Sequence, residues 1–426
     1  MEKLQSAKLQ AVRGMNDILP DESSKWEYFE DVATRVARQY GYKNMRAPLV
    51  EHTPLFVRSI GEVTDIVEKE MYSFEDKLNG EKLTLRPELT AGLVRAAVEA
   101  NLTYNGPARV YCSGVMFRHE RPQKGRYRQF SQFDVEAFGI EGPDVDAEIM
   151  MLGARILNEL GIHDYRLEIN SIGNTAERNA YREKLIAHYE KNPTALDDEA
   201  KRRLHTNPMR ILDSKVASVI EVNKSAPNLL DSLEPESRAH FDGVQQALTD
   251  AGVNFVINPR IVRGMDYYNR TAFEFVTERF ESPLTICGGG RYDGLFEQLG
   301  GKPTPAIGFG MGIERVLMML PENLATKGID AYLVHAGDAA RPVATKLAET
   351  LRNSGHSIAL HAGGGSFKSQ MKKADASGAR FALILGDNEV AAGTVAVKPL
   401  RNSAGVPIQG EQAIITSSAV AAHLRD

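Results

Sequence analysis

The stretch ARVYCSGVMFRHERPQKGRYRQFSQFDVEAFGI, residues 108–140, contains two strand-like segments joined by a basic loop. Aromatic and branched residues are frequent in ARVYCSGVMFRHE and in FSQFDVEAFGI, and the polar, glycine-containing RPQKGRYRQ lies between them. Such a pattern predicts a long antiparallel hairpin. Its central part, FRHERPQKGRYRQF, carries five arginine or lysine residues and a single carboxylate. The tip of the hairpin is therefore expected to meet a polyanion.

The charge of the whole chain limits how a polyanion can be held. Its 51 arginine and lysine residues and 56 acidic residues give a net charge of −5. Binding must therefore depend on local basic patches such as this loop. The two cysteines, Cys112 and Cys287, lie in no CxxC or Cys/His pattern, which argues against a disulfide framework or a structural zinc site.

Hydropathy patterning gives no sign of a membrane or secretory segment. The first residues, MEKLQSAKLQ, lack the apolar stretch of a signal peptide, and no apolar run approaches the roughly 18 residues of a membrane span. We expect a cytoplasmic protein that does not contact a membrane.

The order of strand-like and helix-like segments predicts an α+β fold in three parts. Strand signals occur before about residue 170 and return in RTAFEFVTERF and LTICGGGRYDG, whereas the stretch between is charged and helix-forming. After a linker, PENLATKG, the order strand, helix, strand, helix, strand predicts a small α/β domain with a parallel or mixed sheet. We predict a main domain of residues 1–170 and 255–322, a helical insertion at 171–254 and a C-terminal domain at 328–426.

Two glycine clusters do not match the familiar nucleotide-binding motifs. GFGMGIE lacks the GxGxxG spacing, and GGGSFKS lacks the spacing of a P-loop. The spacing therefore argues against a Rossmann or P-loop enzyme, and an antiparallel nucleotide-binding sheet remains. Arginine binds phosphate well because its planar fork makes two charge-assisted hydrogen bonds. The candidates next to predicted strands are Arg118, Glu120, Arg126, Arg263 and Arg315, for which surface ion pairs are the alternative interpretation.

Five motifs together resemble the histidyl-tRNA synthetase family of class II aminoacyl-tRNA synthetases, from about residue 10 to the C-terminus. GYKNMRAPLVE resembles motif 1 with Pro48, FRHE opens motif 2, and GFGMGIERV is similar to motif 3 with Arg315. VRGMDYYNRTAFEF and GGGRYDGL resemble two signatures peculiar to the histidine enzymes. The resemblance implies a class II catalytic domain with an antiparallel sheet and a helical insertion, followed by an anticodon-binding domain.

The resemblance also implies a two-step reaction. Histidine and ATP give histidyl-adenylate and pyrophosphate, and the terminal ribose of tRNA-His then accepts the histidyl group. Arg118 and Arg263 are implied to act on the α-phosphate and are the catalytic candidates. Glu120, Arg126 and Arg315, with Arg118, are implied to bind ATP, and Mg²⁺ is expected to accompany the nucleotide.

Histidine selection is implied for a second set of residues. An imidazole has two ring nitrogens, so a selective pocket needs an acceptor for one and a hydroxyl or carboxylate for the other. By resemblance, Glu136, Tyr268 and Tyr292 contact the imidazole, and Glu88, Thr90 and Gln132 hold the α-amino group. The full set of histidine-binding candidates is Glu88, Thr90, Gln132, Glu136, Tyr267, Tyr268 and Tyr292, and no side chains are predicted as metal ligands.

Other expectations concern partners and departures from the family pattern. Motif 1 implies a homodimer, and tRNA-His, L-histidine and ATP are the implied partners. Leu89 and Ser131 stand where glycine and histidine are frequent in the bacterial pattern. One alternative is an inactive, synthetase-like regulatory subunit of ATP phosphoribosyltransferase, and another is a kinase-linked sensor of uncharged tRNA. Intact histidine signatures and the C-terminal domain argue against the first, and the absence of a kinase segment argues against the second.

Overall fold

The structure is a computed structural model that describes residues 9–62, 64–321, 328–403 and 405–425. The chain divides into two compact units, the first ending at Pro321. Most of the predicted linker PENLATKG and most of the N-terminal stretch MEKLQSAKLQ lie outside the described residues. No helix in the described part of the chain is long and apolar enough to cross a membrane.

The first unit contains most of the strands. In chain order they are β1 (Lys43–Asn44), β2 (Val50–His52), β3 (Tyr72–Glu75), β4 (Lys82–Leu85), β5 (Ala108–Phe117), β6 (Gln129–Phe138), β7 (Arg166–Ser171), β8 (Val256–Ile257), β9 (Asn269–Thr277), β10 (Leu284–Arg291) and β11 (Ala306–Gly312). Its α-helices are α1 (Pro20–Gln39), α2 (Thr53–Ile60), α3 (Thr90–Glu99), α4 (Pro143–Glu159), α5 (Thr175–Glu190), α6 (Asp198–Arg203), α7 (Ala217–Asn223), α8 (Pro235–Asp250), α9 (Leu295–Gln298) and α10 (Ile313–Leu317).

Eight of these strands form one sheet in the order β1-β5-β6-β11-β10-β9-β7-β8. All neighbours are antiparallel except the two outermost pairs, β1 with β5 and β7 with β8. The predicted long hairpin is confirmed, because β5 and β6 pair from Ala108 opposite Phe138 to Phe117 opposite Gln129. A second sheet has the order β2-β4-β3, in which β3 and β4 form an antiparallel hairpin.

Strand β6 shows how the large sheet separates its two faces. Side chains alternate along a strand, so Phe133 and Val135 point away from Gln132, Asp134 and Glu136. The apolar face is covered in part by α4, where Gly153 lies against the rings of Phe275 on β9 and Phe309 on β11. The polar face is left to carry a site.

The helical stretch that follows β7 shares its core with the large sheet. Tyr181, Leu185 and Tyr189 on α5 are buried in the same apolar cluster as Leu89 and Tyr292. The capping box of Asn174 and Glu177 begins α5, with the Glu177 N–H donating to Asn174 Oδ1 at 2.9 Å. The limits of a separate insertion domain at 171–254 stay a prediction.

The second unit is a five-stranded sheet with helices. Its strands are β12 (Ala331–His335), β13 (Ile358–Leu360), β14 (Phe381–Leu385), β15 (Thr394–Pro399) and β16 (Ala413–Thr416), and its helices are α11 (Ala340–Asn353), α12 (Phe367–Ala376), α13 (Asp387–Ala392) and α14 (Val420–His423). The order is β13-β12-β14-β15-β16. Strands β13, β12 and β14 are parallel to one another, whereas β15 pairs antiparallel with both of its neighbours, β14 and β16. The sheet is therefore mixed, which was one of the two predicted forms.

Candidate active site

A cavity of about 350 Å³ lies on the polar face of the large sheet. Its wall comes from the β4–α3 connection, the β5–β6 hairpin, strands β9 to β11, the start of α10 and the segment before β9. Nine of the twelve predicted site residues line it: Glu88, Thr90, Arg118, Glu120, Arg126, Gln132, Arg263, Tyr268 and Arg315. The other three, Glu136, Tyr267 and Tyr292, are buried and contact this wall from behind.

Glycines on β10 and β11 form the floor of the cavity. A Cβ atom on Gly308 would overlap the Glu136 carboxylate, and one on Gly288 would lie 2.7 Å from Arg263 Nη1. A Cβ on Gly310 would lie 2.9 Å from Gln132 Nε2. The glycines of β10 and those of GFGMGIE on β11 thus allow close approach by polar side chains, whereas the other cluster, GGGSFKS, lies in the second unit.

Glu136 is the deepest acidic group of the site. Its Oε1 accepts a hydrogen bond from Thr90 Oγ1 at 2.7 Å, and its Oε2 accepts one from the Tyr292 hydroxyl. Burial raises the pKa of Glu136 to about 8, against the lowering effect of these two donors. Tyr292 is one of three neighbouring tyrosines, with the ring of Tyr267 4.6 Å from that of Tyr268 and 5.6 Å from that of Tyr292. The group combines one buried carboxyl group with several hydroxyl groups.

Glu88 lies where the chain enters α3. Its Oε1 accepts the backbone N–H of Ala91 at 2.8 Å, which satisfies one of the free donors at the start of that helix. Burial raises the pKa of Glu88. Leu89, the departure from the family pattern, is fully buried in the apolar core and does not line the cavity.

Arg118 follows the last residue of β5. Its Nε donates to the Pro87 carbonyl at 2.8 Å, and its guanidinium lies 5.2 Å from the centre of the Phe130 ring. These contacts fix its direction at the mouth of the hairpin. Arg126 in the loop is paired with Glu120 at 3.4 Å, and this pair is partly exposed.

Arg263 is the most enclosed of the cavity arginines that were predicted. Its Nη1 donates to Glu274 Oε1 at 2.8 Å, and its guanidinium lies 5.1 Å from the centre of the Tyr268 ring. Although burial opposes the change, Tyr268 and Glu274 raise the pKa of Arg263, so it stays charged. Glu274 is itself held, because its Oε2 accepts from Thr285 Oγ1 at 2.8 Å. The charge of Arg263 is therefore preorganised above Gly288.

Arg315 lies on α10 at the open side of the cavity. Its Nε donates to the Gly125 carbonyl at 2.9 Å, and its Nη1 donates to the Thr285 carbonyl at 2.7 Å. It thereby ties the hairpin tip to β10. The preceding residue, Glu314, accepts the backbone N–H of Ser131 at 2.8 Å, and burial raises its pKa to about 7.

Sequence reasoning missed several residues of the cavity wall, among them Asp134, Glu274 and Glu314. A signal for Asp134 was present, since it lies midway between Gln132 and Glu136 in a strand of period two. Glu274 shows no such signal, because its pairing with Arg263 depends on the fold. His119, the histidine of FRHE, has its ring edge-on to Tyr72 at 5.6 Å and does not line the cavity.

Comparisons with known proteins give matches over nearly the whole chain. The family model for histidyl-tRNA synthetase matches residues 14–316, and the model for an anticodon binding domain matches residues 330–415. The histidine--tRNA ligase of Nitrosomonas europaea is 58% identical over 399 residues, covering 93% of this chain and 95% of that protein. The histidine--tRNA ligase of Bordetella avium is 55% identical over 417 residues, covering 97% of each.

Solved structures agree with these matches. The apo histidyl-tRNA synthetase of Staphylococcus aureus superposes with a TM-score of 0.80 at 36% identity, over 98% of this chain and all of that one. An ATP phosphoribosyltransferase regulatory subunit/histidyl-tRNA synthetase from Bacillus halodurans superposes at 0.64 with 22% identity, over 88% of this chain and 97% of that one, which shows a shared fold only. From these matches and its signatures, this chain belongs to the histidyl-tRNA synthetase family.

Proposed function

We propose that this chain ligates L-histidine to tRNA-His with ATP, through a histidyl-adenylate intermediate, and that the cavity is its active site. One observation carries the assignment of the site. Several arginines, suited to ATP phosphates, line the cavity, and a buried carboxyl group suited to an imidazole N–H, that of Glu136, lies directly behind the lining residue Thr90. Family membership supports the substrates, and the geometry supports the roles of the residues.

In the first step the histidine carboxylate attacks the α-phosphate of ATP. Two negative groups approach each other, so the main task of the protein is to neutralise charge at the reacting phosphorus. Arg263, held by Glu274 and Tyr268, and Arg118, held by the Pro87 carbonyl, are the groups we assign to it. Because both are already fixed, little reorganisation is needed during the reaction.

Histidine is selected by the inner part of the cavity. We propose that Glu136 accepts one imidazole N–H, with the nearby hydroxyl of Tyr268 at the other ring nitrogen. A buried acceptor left without its partner is costly, so an amino acid that offers no N–H at this point is rejected. Tyr292 and Thr90 orient Glu136, and Tyr267 packs between the two other tyrosines. Glu88 and Gln132 hold the α-amino group.

ATP occupies the outer part. We assign Arg126 and Arg315 to the phosphate and purine side, and Glu120 to the adenine, in keeping with the places of Arg126 and Glu120 in the hairpin loop and with the contact of Arg315 to that loop. Mg²⁺ enters with the nucleotide in this proposal. Both oxygens of Glu274 are engaged by Arg263 and Thr285, so the protein offers few free carboxylates, and the phosphates supply most of the ligands.

Three further assignments follow from the same function. The second unit binds the anticodon, as its family match suggests. The protein works as a homodimer through the region around α1 and Pro48. It acts in the cytoplasm, where ATP and tRNA are available.

The test is histidine-dependent exchange of labelled pyrophosphate into ATP, followed by charging of tRNA-His. Exchange that needs histidine and is not supported by other amino acids is expected. Absence of exchange in well-folded protein would contradict the proposal. The alternative of an inactive regulatory subunit is not favoured, because the described cavity keeps both Arg118 and Arg263 and the chain includes the second unit.

A further inference from the structure

Asp134 is a buried carboxyl group of the cavity wall that the proposed mechanism does not use. It is 3% exposed, and its Oδ1 is buried without a hydrogen-bond partner. In the part of the chain that the structure describes, no other carboxylate has such a buried, unpartnered oxygen. Leaving a buried acceptor unpaired costs free energy, so its retention points to a ligand that pairs with it.

The strand register directs Asp134 into the cavity. On β6 it lies between Gln132 and Glu136, and its neighbour on β11 is Gly310. A Cβ atom on Gly310 would lie 3.2 Å from Asp134 Oδ1, so glycine leaves the space above this oxygen open. The next strand carries another glycine, Gly288, opposite Gly310. The carboxyl group therefore faces the cavity across a floor without side chains.

The surroundings of Asp134 favour a cationic ligand. Burial, with the nearby Glu136 and Glu88, raises the pKa of Asp134 well above its ordinary range, because its negative charge is poorly stabilised there. The charged and titratable groups that act on it are Glu136, Glu88, Arg86, Arg118, Cys112 and Cys287. A cation placed next to Asp134 and Glu88 would stabilise both carboxylates.

We propose that Asp134 binds the α-ammonium group of histidine, together with Glu88 and Gln132. This inference rests on the proposed function of the cavity. The ammonium has three N–H donors and enters a cavity with several arginines, whose repulsion a second carboxylate offsets. Glu88 alone is poorly suited to this, since one of its oxygens already accepts the Ala91 N–H.

Distances along the strand agree with this assignment. Residues two apart on a strand are about 7 Å apart, so Asp134 and Glu136 can contact different ends of one histidine molecule. Both oxygens of Glu136 already accept protein hydrogen bonds, which orient it toward the imidazole end. Asp134, which has no such donors on Oδ1, is left for the ammonium end.

The first test is histidine binding by calorimetry to the full-length protein and to Asp134→Asn, which keeps the size of the side chain and removes the charge. Loss of a charge-assisted hydrogen bond should raise the Kd for histidine about tenfold to 100-fold. Histidinol, which keeps the ammonium group, should lose affinity similarly, and 3-(imidazol-4-yl)propionate, which lacks it, should not. Asp242→Asn, at an exposed position on α8 that does not line the cavity, is the matched control and should change the Kd less than about twofold.

The second test is pyrophosphate exchange by the parent and by Asp134→Asn, in which the KM for histidine should rise while the KM for ATP changes little. An unchanged Kd for histidine in Asp134→Asn, an equal loss of affinity for the propionate, or an equal rise in both KM values would overturn the role of Asp134. A parent protein that binds no histidine would instead overturn the proposed function.

Discussion

The two largest sheets of this chain use opposite kinds of strand at their centres. In the first unit, β6 places Gln132, Asp134 and Glu136 on one face, opposite glycines of β11. In the second unit, the central strand β14, FALIL, is apolar and buried along its whole length. Burying polar groups costs free energy and burying apolar side chains gains it, so the first strand is shaped by its ligand and the second by packing. Substitutions in the two sheets should therefore separate activity from stability.

The largest expected effect in the first sheet is that of Arg263→Ala. Loss of one preorganised charge at the α-phosphate should lower the rate of adenylate formation about 10² to 10³-fold, with smaller changes in KM. Arg263→Lys should recover only part of this rate, because it keeps the charge and loses the bidentate fork. Single-turnover kinetics of adenylation and of transfer to tRNA are the measurement, and transfer should be affected less.

Arg166→Ala is the matched control for this experiment. Arg166 is also paired with carboxylates on the large sheet, Glu168 and Glu278, but it does not line the cavity. Its adenylation rate should stay within about twofold of the parent. If Arg263→Ala adenylates within about threefold of the parent, the catalytic role of Arg263 is wrong and Glu274 is only its structural partner.

Removing the second unit should impair the charging of tRNA and leave adenylate formation intact. A chain ending at Pro321 should keep histidine-dependent pyrophosphate exchange and lose tRNA charging at low tRNA concentration about 10²-fold, the equivalent of roughly 3 kcal/mol of binding. Loss of phosphate contacts should also flatten the salt dependence of tRNA binding. The measurement is exchange and charging by the same preparation, with thermal unfolding to establish that it is folded. Unchanged tRNA affinity would contradict an anticodon-binding role.

Glu136→Gln tests the inner end of the cavity. An amide in place of the carboxylate puts a donor where Thr90 and Tyr292 already donate, and it weakens the acceptor offered to the imidazole. The Kd for histidine should rise about tenfold to 100-fold, while the KM for ATP changes little. Glu278→Gln, an exposed carboxylate on the same unit, should leave histidine binding unchanged. Equal losses for histidine and ATP would point to general disruption of the sheet.

Leu383→Ala in β14 should lower stability and leave activity unchanged, the reverse of what is expected for substitutions in the cavity. Leu383 is fully buried, and removing most of its side chain should lower the free energy of unfolding of the second unit by about 2–5 kcal/mol. Pyrophosphate exchange should be unchanged, because no residue of β14 lines the cavity. Calorimetric unfolding with exchange assays distinguishes the two effects, and a loss of exchange would show that the two sheets are not functionally separate.

The sequence was most informative where function and local pattern coincide. The β5–β6 hairpin was predictable because its strands alternate and its loop is polar, and the family was predictable because its signatures are long. The strands β15 and β16 were not identified, since ordinary turn residues surround them and their pairing with β14 is non-local. Asp134 was missed although its spacing was visible, and Glu274 could not be found because only the fold brings it to Arg263.

The last expected effect is on the pH dependence of stability, and it is the smallest. Burial raises the pKa of Glu136 to about 8 from an ordinary value of 4.5, and it raises the pKa of Glu314 to about 7. A raised carboxyl pKa means that the folded state favours the protonated form. The stability that this group contributes is therefore present below pH 4.5 and is lost as the pH rises through about 8. The Tm of the ligand-free protein should fall between about pH 6 and 8.5, and it should fall less in Glu136→Gln, which has no proton to lose. Thermal unfolding of both proteins across this range at constant ionic strength is the measurement. If the difference in Tm between the two proteins is the same at both ends of the range, Glu136 is ionised throughout. Burial of this carboxyl group on β6 would then cost less free energy than its raised pKa implies.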